Sequence, residues 1–292
     1  MSIVIEVIKA IILGLVEGFS EWLPISSTGH MIIVDEFVHL DVSSGFKSLF
    51  LVVIQLGAIL AVVILYFDRL YPFARQKNAN QQRATWMIWK NVVIGCMPAA
   101  VIGVLLDDWV DEHFYRAVVV AAMLIVYGVG FILVERFKPD KPASRHFRAR
   151  RSVSNETTES LDLPTVVKIG LFQCLAIIPG TSRSGATILG ARLLGISRPV
   201  ATEFSFFLAI PVMLGWSLLK TVKVLLIDKL QVTATEWLLL VVGVVVAFTV
   251  SVFVIRFLVD FVKKNSFAVF GWYRIALGVL LLIFFGITGG LF

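Results

Sequence analysis

Glu17-Gly18-Phe19-Ser20-Glu21-Trp22-Leu23-Pro24-Ile25-Ser26-Ser27-Thr28-Gly29-His30 breaks an otherwise apolar stretch with two acids, a proline, a run of hydroxyls and a histidine. A second segment, Gln173-Cys174-Leu175-Ala176-Ile177-Ile178-Pro179-Gly180-Thr181-Ser182-Arg183-Ser184-Gly185-Ala186-Thr187-Ile188, follows the same plan. Each follows a short apolar run, breaks it at Pro24 or Pro179, and continues as a hydroxyl-rich loop ending in glycine. Laid side by side, Gly14-Leu15-Val16-Glu17 matches Gly170-Leu171-Phe172-Gln173, and Ser26-Ser27-Thr28-Gly29 matches Ser182-Arg183-Ser184-Gly185. This is an internal repeat, weak in identity but matched in order and polarity.

The surroundings of these segments set the fold class. Of 292 residues, 58% are hydrophobic and 16% charged, against roughly 45–50% and about 25% in soluble domains. The apolar residues come in long blocks, such as Leu49–Phe67, Val92–Leu106, Ala117–Val134, Trp237–Ile255 and Trp272–Phe285. With their weakly polar flanks, these are long enough to cross a hydrocarbon core of about 30 Å as helices. A polytopic, all-α integral membrane protein follows. The opening Met1-Ser2-Ile3-Val4-Ile5-Glu6 has no basic n-region or small-residue cleavage site, so the first segment is expected to be retained. Cys96 and Cys174, the only cysteines, are too few for a disulfide framework or a zinc site. The net charge of +6 does not indicate nucleic acid, because the basic residues sit in loops and no recognition helix, RNP motif or zinc spacing accompanies them.

Those loops predict the topology. Asp68–Lys90 and Lys138–Arg151 are basic, and the connection Asp107–Glu112 between them is acidic. The basic loops, with Lys263-Lys264, are placed in the cytoplasm; the acidic connection, the stretch between Lys223 and Glu236, and Phe292 are placed outside. Lys138–Asp162 lacks apolar periodicity and carries Pro139 and Pro142, so it reads as a flexible linker. The chain thus divides into a first unit over 1–137, a cytoplasmic linker over 138–163 and a second unit over 164–292.

Broken backbone at membrane depth is tolerated only where protein buries it or it lines a wet cavity. Paired broken segments in two halves point to a site at the interface of the halves. The first precedes an inward span (Leu49–Phe67) and the second an outward one (Thr202–Thr221). The expectation is about six transmembrane helices plus two re-entrant helix hairpins, arranged as two inverted-topology repeats.

Glu17 and Glu21 lie four apart, on one face of a helix. An ionised residue at membrane depth costs about 2.5–3.5 kcal/mol on insertion scales. Two side by side call for a positive partner, and a divalent cation, Mg²⁺ or Ca²⁺, suits their hard oxygens. Pro179–Thr187 has the makings of a phosphate loop. Gly180 and Gly185 let the backbone approach a ligand, while Ser182, Ser184 and Thr187 offer donors. A helix beginning near Gly185 would aim free N–H groups at an anion, and Arg183 adds a planar bidentate fork. Ser26 and Ser27 supply a second donor-rich turn. His30 is the candidate general acid or base.

The segments 17–30 and 179–187 closely resemble the two signature motifs of the bacterial undecaprenyl-diphosphate phosphatases, the bacitracin-resistance membrane proteins. The resemblance covers nearly the whole chain in length and segment order; the linker alone looks longer than is usual. It implies removal of the terminal phosphate of undecaprenyl diphosphate, an isoprenoid lipid diphosphate, with a divalent cation. It also implies a site open to the outer face of the cytoplasmic membrane. On that basis Glu17 and Glu21 serve metal binding or acid–base work, and His30 is catalytic. Ser27 places a hydroxyl at the reacting phosphate, and Ser182, Arg183 and Thr187 hold the diphosphate. The rival expectation is a transporter or flippase of the phosphorylated lipid, since secondary transporters are also built from inverted repeats with broken helices. Oligomeric state is open in the sequence, a homodimer included.

Overall fold

A computed structural model describes residues 3–114, 116–138 and 157–288, and among these it is helical with no strand. Six helices are long and apolar enough to cross a membrane: Ser44–Leu65, Ala79–Leu106, Ala117–Phe137, Arg198–Ile227, Ala234–Lys264 and Ala268–Thr288. The chain is a multi-pass membrane protein. Its outward-facing side chains agree, since Val104, Leu105 and Ile287 are each more than 70% exposed; a water-facing surface would not carry them in such number.

The elements run α1 (Ile3–Ser20), α2 (Ser27–Phe37), α3 (Ser44–Leu65), α4 (Phe67–Leu70), α5 (Ala79–Phe114) and α6 (Ala117–Phe137). After the linker come α7 (Leu163–Cys174), α8 (Arg183–Leu193), α9 (Arg198–Val222), α10 (Ala234–Lys264) and α11 (Ala268–Thr288). At 1.5 Å per residue, the 11 residues of α2, 12 of α7 and 11 of α8 are too short to cross. One expectation is corrected at α5. Asp107–Glu112 is not a loop; the helix runs through it to Phe114. A 36-residue helix is about 54 Å long, so it clears the hydrocarbon and its acidic turns need no separate connection. Of the linker expected over 138–163, residues 139–156 lie outside the described residues. Its last part is fixed: Asp162 caps α7 through the Thr165 N–H (3.2 Å), and Arg69 bonds Glu159 (2.9 Å) and Thr158 (3.1 Å).

The packing is reciprocal between α1–α6 and α7–α11. α1 lies on α10, and α7 lies on α5; α6 pairs with α11, and α3 with α9. Small residues bring these backbones together. A Cβ on Gly128 of α6 would stand 2.7 Å from the Gly271 carbonyl of α11, and one on Gly271 would stand 2.6 Å from the Gly128 carbonyl. Close backbone approach of this kind replaces the hydrophobic drive that lipid cannot supply between helices. Trp22, wholly buried, anchors the largest apolar cluster edge-to-face on Phe206 at 5.3 Å.

Candidate active site

Two short loops meet in the fold, Ser184 of one donating to the Glu21 carbonyl of the other. The first, between α1 and α2, begins where Glu21 closes the last turn of α1, its N–H bonded to the Glu17 carbonyl at 3.0 Å. The second follows a 3₁₀ turn, Leu175–Ile177, and leads into α8. Ser26 and Ser182 occupy matching places in them. Each is the N-cap of the following helix, at φ 74° and 70°, and each accepts the N–H three residues on: Gly29 at 3.3 Å and Gly185 at 3.1 Å. Positive φ at a non-glycine residue costs of the order of 1–3 kcal/mol and persists only where the surroundings over-determine it. That balance predicts an ordering: in thermal unfolding in detergent, Ser26→Gly should be the more stable of a pair with Ser26→Ala, by about 1 kcal/mol. Alanine keeps the strain and loses the cap; equal stability of the two variants would contradict the strain.

The polar side chains of the two loops are tied through Glu21. Ser27 donates to Glu21 Oε2 at 2.9 Å, and Arg183 Nη2 donates to Oε1 at 3.2 Å. Arg183 Nη1 reaches the Ser205 carbonyl of α9 at 2.8 Å, and its Cζ lies 5.8 Å from the Trp22 ring centroid. The residues are nearly sheathed from solvent, yet Arg183 Nε and Glu17 Oε1 are buried with no hydrogen-bond partner. Such orphan groups are rare in a finished core.

A cavity of about 410 Å³ opens against this cluster. Its polar wall is Glu21, Ser27, Thr28, Gln55, Gln173, Gly180, Ser182 and Arg183, and the rest of the lining is mostly apolar. Of the expected site residues, Glu21, Ser27, Gly180, Ser182 and Arg183 are therefore on the wall, and the others stand behind it. Ser26 caps α2; Ser184 donates to the Glu21 and Leu23 carbonyls at 3.2 and 3.3 Å. Thr187 is spent on the Arg183 carbonyl (2.9 Å) and the Ser205 hydroxyl (2.7 Å). Glu17, only 2% exposed, sits one helical turn behind Glu21. His30 is held off the wall: Nδ1 is 2.7 Å from the Ser26 carbonyl, and Nε2 is 2.7 Å from the Tyr273 hydroxyl, whose ring stacks parallel to it.

Three residues escape a reading of the broken segments alone. Gln55 puts an amide on the wall from inside the apolar run of α3, and Ser205 seats Arg183. The third is Arg274 of α11, fully buried. Its guanidinium donates to the carbonyls of Pro24 (3.1 Å), Gly180 (2.8 Å) and Thr181 (2.9 Å), with Cζ 5.4 Å from the Tyr127 ring centroid. One side chain thus clips both loops together from behind. Its signal was available, since a lone arginine inside an apolar run is costly in a membrane and seldom idle.

Fold and cleft together define a polytopic membrane protein with a buried acid–hydroxyl–arginine site at the head of an apolar cavity. Residues 10–280 match the family model described as bacitracin resistance protein BacA. The chain is 53% identical to a protein named undecaprenyl-diphosphatase from Streptococcus mutans, over 98% of each chain. It is 52% identical to one so named from Enterococcus faecalis, over 94% of this chain and 95% of the relative. A third so named, from Acetivibrio thermocellus, is 51% identical over 96% and 98%. The chain belongs to the bacitracin resistance protein BacA family.

Proposed function

We propose that this protein hydrolyses undecaprenyl diphosphate to undecaprenyl phosphate and inorganic phosphate. This would return the lipid carrier to peptidoglycan synthesis and confer resistance to bacitracin. The observation that carries the reading is the Glu21 carboxylate, bonded to Ser27 of one loop and Arg183 of the other at the head of an apolar cavity. The diphosphate belongs at that polar wall. A phosphate oxygen there competes with Glu21 for the Arg183 fork, which matches it bidentately. Glu21, released from the arginine, takes the proton of the attacking hydroxyl, from Ser27 or from a water in its reach. The new P–O bond forms at the terminal phosphorus as the bridging P–O bond breaks, and the lipid monophosphate leaves with the proton from Glu21. Where Ser27 is the attacking group, a water then cleaves the serine phosphate ester, releasing inorganic phosphate and restoring the hydroxyl. Phosphoryl transfer of this kind rests on positioning and charge stabilisation, which Arg183 and the N-terminal N–H groups of α8 supply.

A divalent cation fits the donor set. Among the described residues no three His, Cys, Asp or Glu side chains cluster as a closed protein cage. The orphaned Glu17 oxygen and Glu21 offer the one or two carboxylates with which Mg²⁺ commonly binds, substrate phosphates completing its shell. Bound there, it would neutralise charge on the diphosphate. His30 is better read as a positioning residue that steadies the Ser26 turn, because both its ring nitrogens are engaged away from the wall. His30→Asn should then lower turnover without changing the shape of the pH–rate profile. Loss of one limb of that profile would return His30 to proton transfer.

We further read α1–α2 and α7–α8 as re-entrant hairpins of two inverted repeats, supported by the loop match and the reciprocal packing. The cavity belongs to the outer side of the cytoplasmic membrane. Its α5 and α9 lining comes from Ala99–Val104 and Pro211–Leu219, in the second halves of those helices, away from the Arg83 and Arg198 near their starts. The test is phosphate release from undecaprenyl diphosphate by purified protein in detergent, with and without EDTA. Release without any gradient, abolished by EDTA and restored by Mg²⁺, supports the reading. Lipid binding without release in detergent, and lipid movement across sealed vesicles driven by a proton gradient, would favour the transporter instead.

A further inference from the structure

We propose that the cavity opens sideways into the bilayer through a slot between α5 and α9, and that the isoprenoid tail leaves the site by it. The inference rests on the substrate proposed above and adds where its tail lies. Beyond the polar wall the cavity is lined by Ala99, Gly103 and Val104 of α5 and by Val212, Gly215 and Trp216 of α9. The two helices touch lower down, where a Cβ on Gly95 would come within 2.9 Å of Leu208 and the Cys96 thiol lies 3.5 Å from the Leu208 carbonyl. Just beyond that contact each helix carries an internal proline, Pro98 in α5 and Pro211 in α9, which removes a helix hydrogen bond and bends the axis. Past the prolines, a Cβ at Gly103 or at Gly215 would meet nothing within 4 Å. The rim is apolar and outward-facing: Val101 is 57% and Leu219 58% exposed.

The equivalent pair in the other unit shows that this gap is not simply what the fold makes. By the reciprocal packing, α10 and α3 stand where α5 and α9 stand. There the helices close: Gly57 of α3 abuts the Val244 carbonyl, which a Cβ would approach to 2.3 Å, and Gly243 of α10 lies against Phe50 and Ile54. Neither α3 nor α10 contains a proline. One of two related interfaces is sealed and the other parted, and the parted one is continuous with the polar wall. A chain of isoprene units anchored by its diphosphate at Arg183 fits that slot, because its apolar surface gains nothing by leaving lipid and is never drawn through water.

Filling the slot tests this. Gly103→Phe and Gly215→Phe, singly and together, would be compared with Val245→Phe, on the exposed face of α10. Binding of undecaprenyl diphosphate would be followed by native mass spectrometry, and phosphate release measured with that lipid and with a five-carbon prenyl diphosphate. The expected result is a loss of undecaprenyl diphosphate binding and kcat/KM of about tenfold or more, carried by KM. The five-carbon substrate and the Val245→Phe protein should stay near the unaltered values. Weakened binding of the long lipid in a protein that releases no phosphate would support the slot while sinking the hydrolytic reading. Unchanged binding of the long lipid in the double variant would overturn the slot, as would equal losses for both substrates.

Discussion

Replacing Arg183 with lysine is expected to lower phosphate release from undecaprenyl diphosphate by about 10²–10³-fold, although the charge is kept. The guanidinium does several things at once that an ammonium cannot. It reaches Glu21 at 3.2 Å with one nitrogen and the Ser205 carbonyl at 2.8 Å with another, and its plane lies near the Trp22 ring. The remaining Nε is buried without a hydrogen-bond partner. Lysine presents a single point charge on a flexible stem and cannot keep the Ser205 carbonyl while offering a bidentate face first to Glu21 and then to phosphate. Because the interaction matters most when charge gathers on the transferring phosphoryl group, kcat should fall more than KM rises. Near-normal turnover in folded Arg183→Lys protein would remove the role assigned to this residue.

The second large effect is expected at a residue that does not itself line the cavity. Arg274→Met should lower activity by about 10²-fold, a loss of the size that follows from misplacing reacting groups by about 1 Å. It should also destabilise the fold by about 3 kcal/mol. Methionine fills the volume but leaves the Pro24, Gly180 and Thr181 carbonyls without their donor. A buried acceptor left unsatisfied costs about 1–3 kcal/mol. Against this stands the relief of no longer burying a guanidinium without a carboxylate beside it, which is why the stability loss should fall short of three full penalties. Activity should suffer beyond the stability change, because the same carbonyls hold both loops in register. Unfolding in detergent and phosphate release below the melting range separate the two. A stable variant with full activity would make Arg274 an ordinary packing residue.

Much of this architecture was legible from the chain. Runs such as Leu49–Phe67 and Ala117–Val134 appear as spans because lipid demands unbroken apolar length, and length survives in a sequence. The broken segments announced themselves by Pro24 and Pro179 among hydroxyls and glycines. The wall residues Glu21, Ser27, Ser182 and Arg183 followed from being polar where polarity is expensive. What the chain concealed was direction. Whether Ser26, Ser184 and Thr187 face a ligand or brace their neighbours depends on loop backbone, and the positive φ of Ser26 and Ser182 arises only from their tertiary setting. His30 looked free to move protons because its partner, Tyr273, lies 243 residues away. Arg274 and Gln55 were each a single polar letter in an apolar run, and a search confined to the broken segments passes over them. The helical course of Asp107–Glu112 was hidden by its charge, which signals exposure to water without excluding helix.

In the function proposed above, Glu21 from one loop and Arg183 from the other act as one unit on the diphosphate. A double-mutant cycle measures it directly: kcat/KM for Glu21→Gln, Arg183→Lys and the pair, from phosphate release in detergent. If the two residues serve one site, the pair should be little worse than the more damaging single change, because the second substitution removes an interaction already lost. Losses that multiply independently would mean that the loops work apart, and would contradict the site described here.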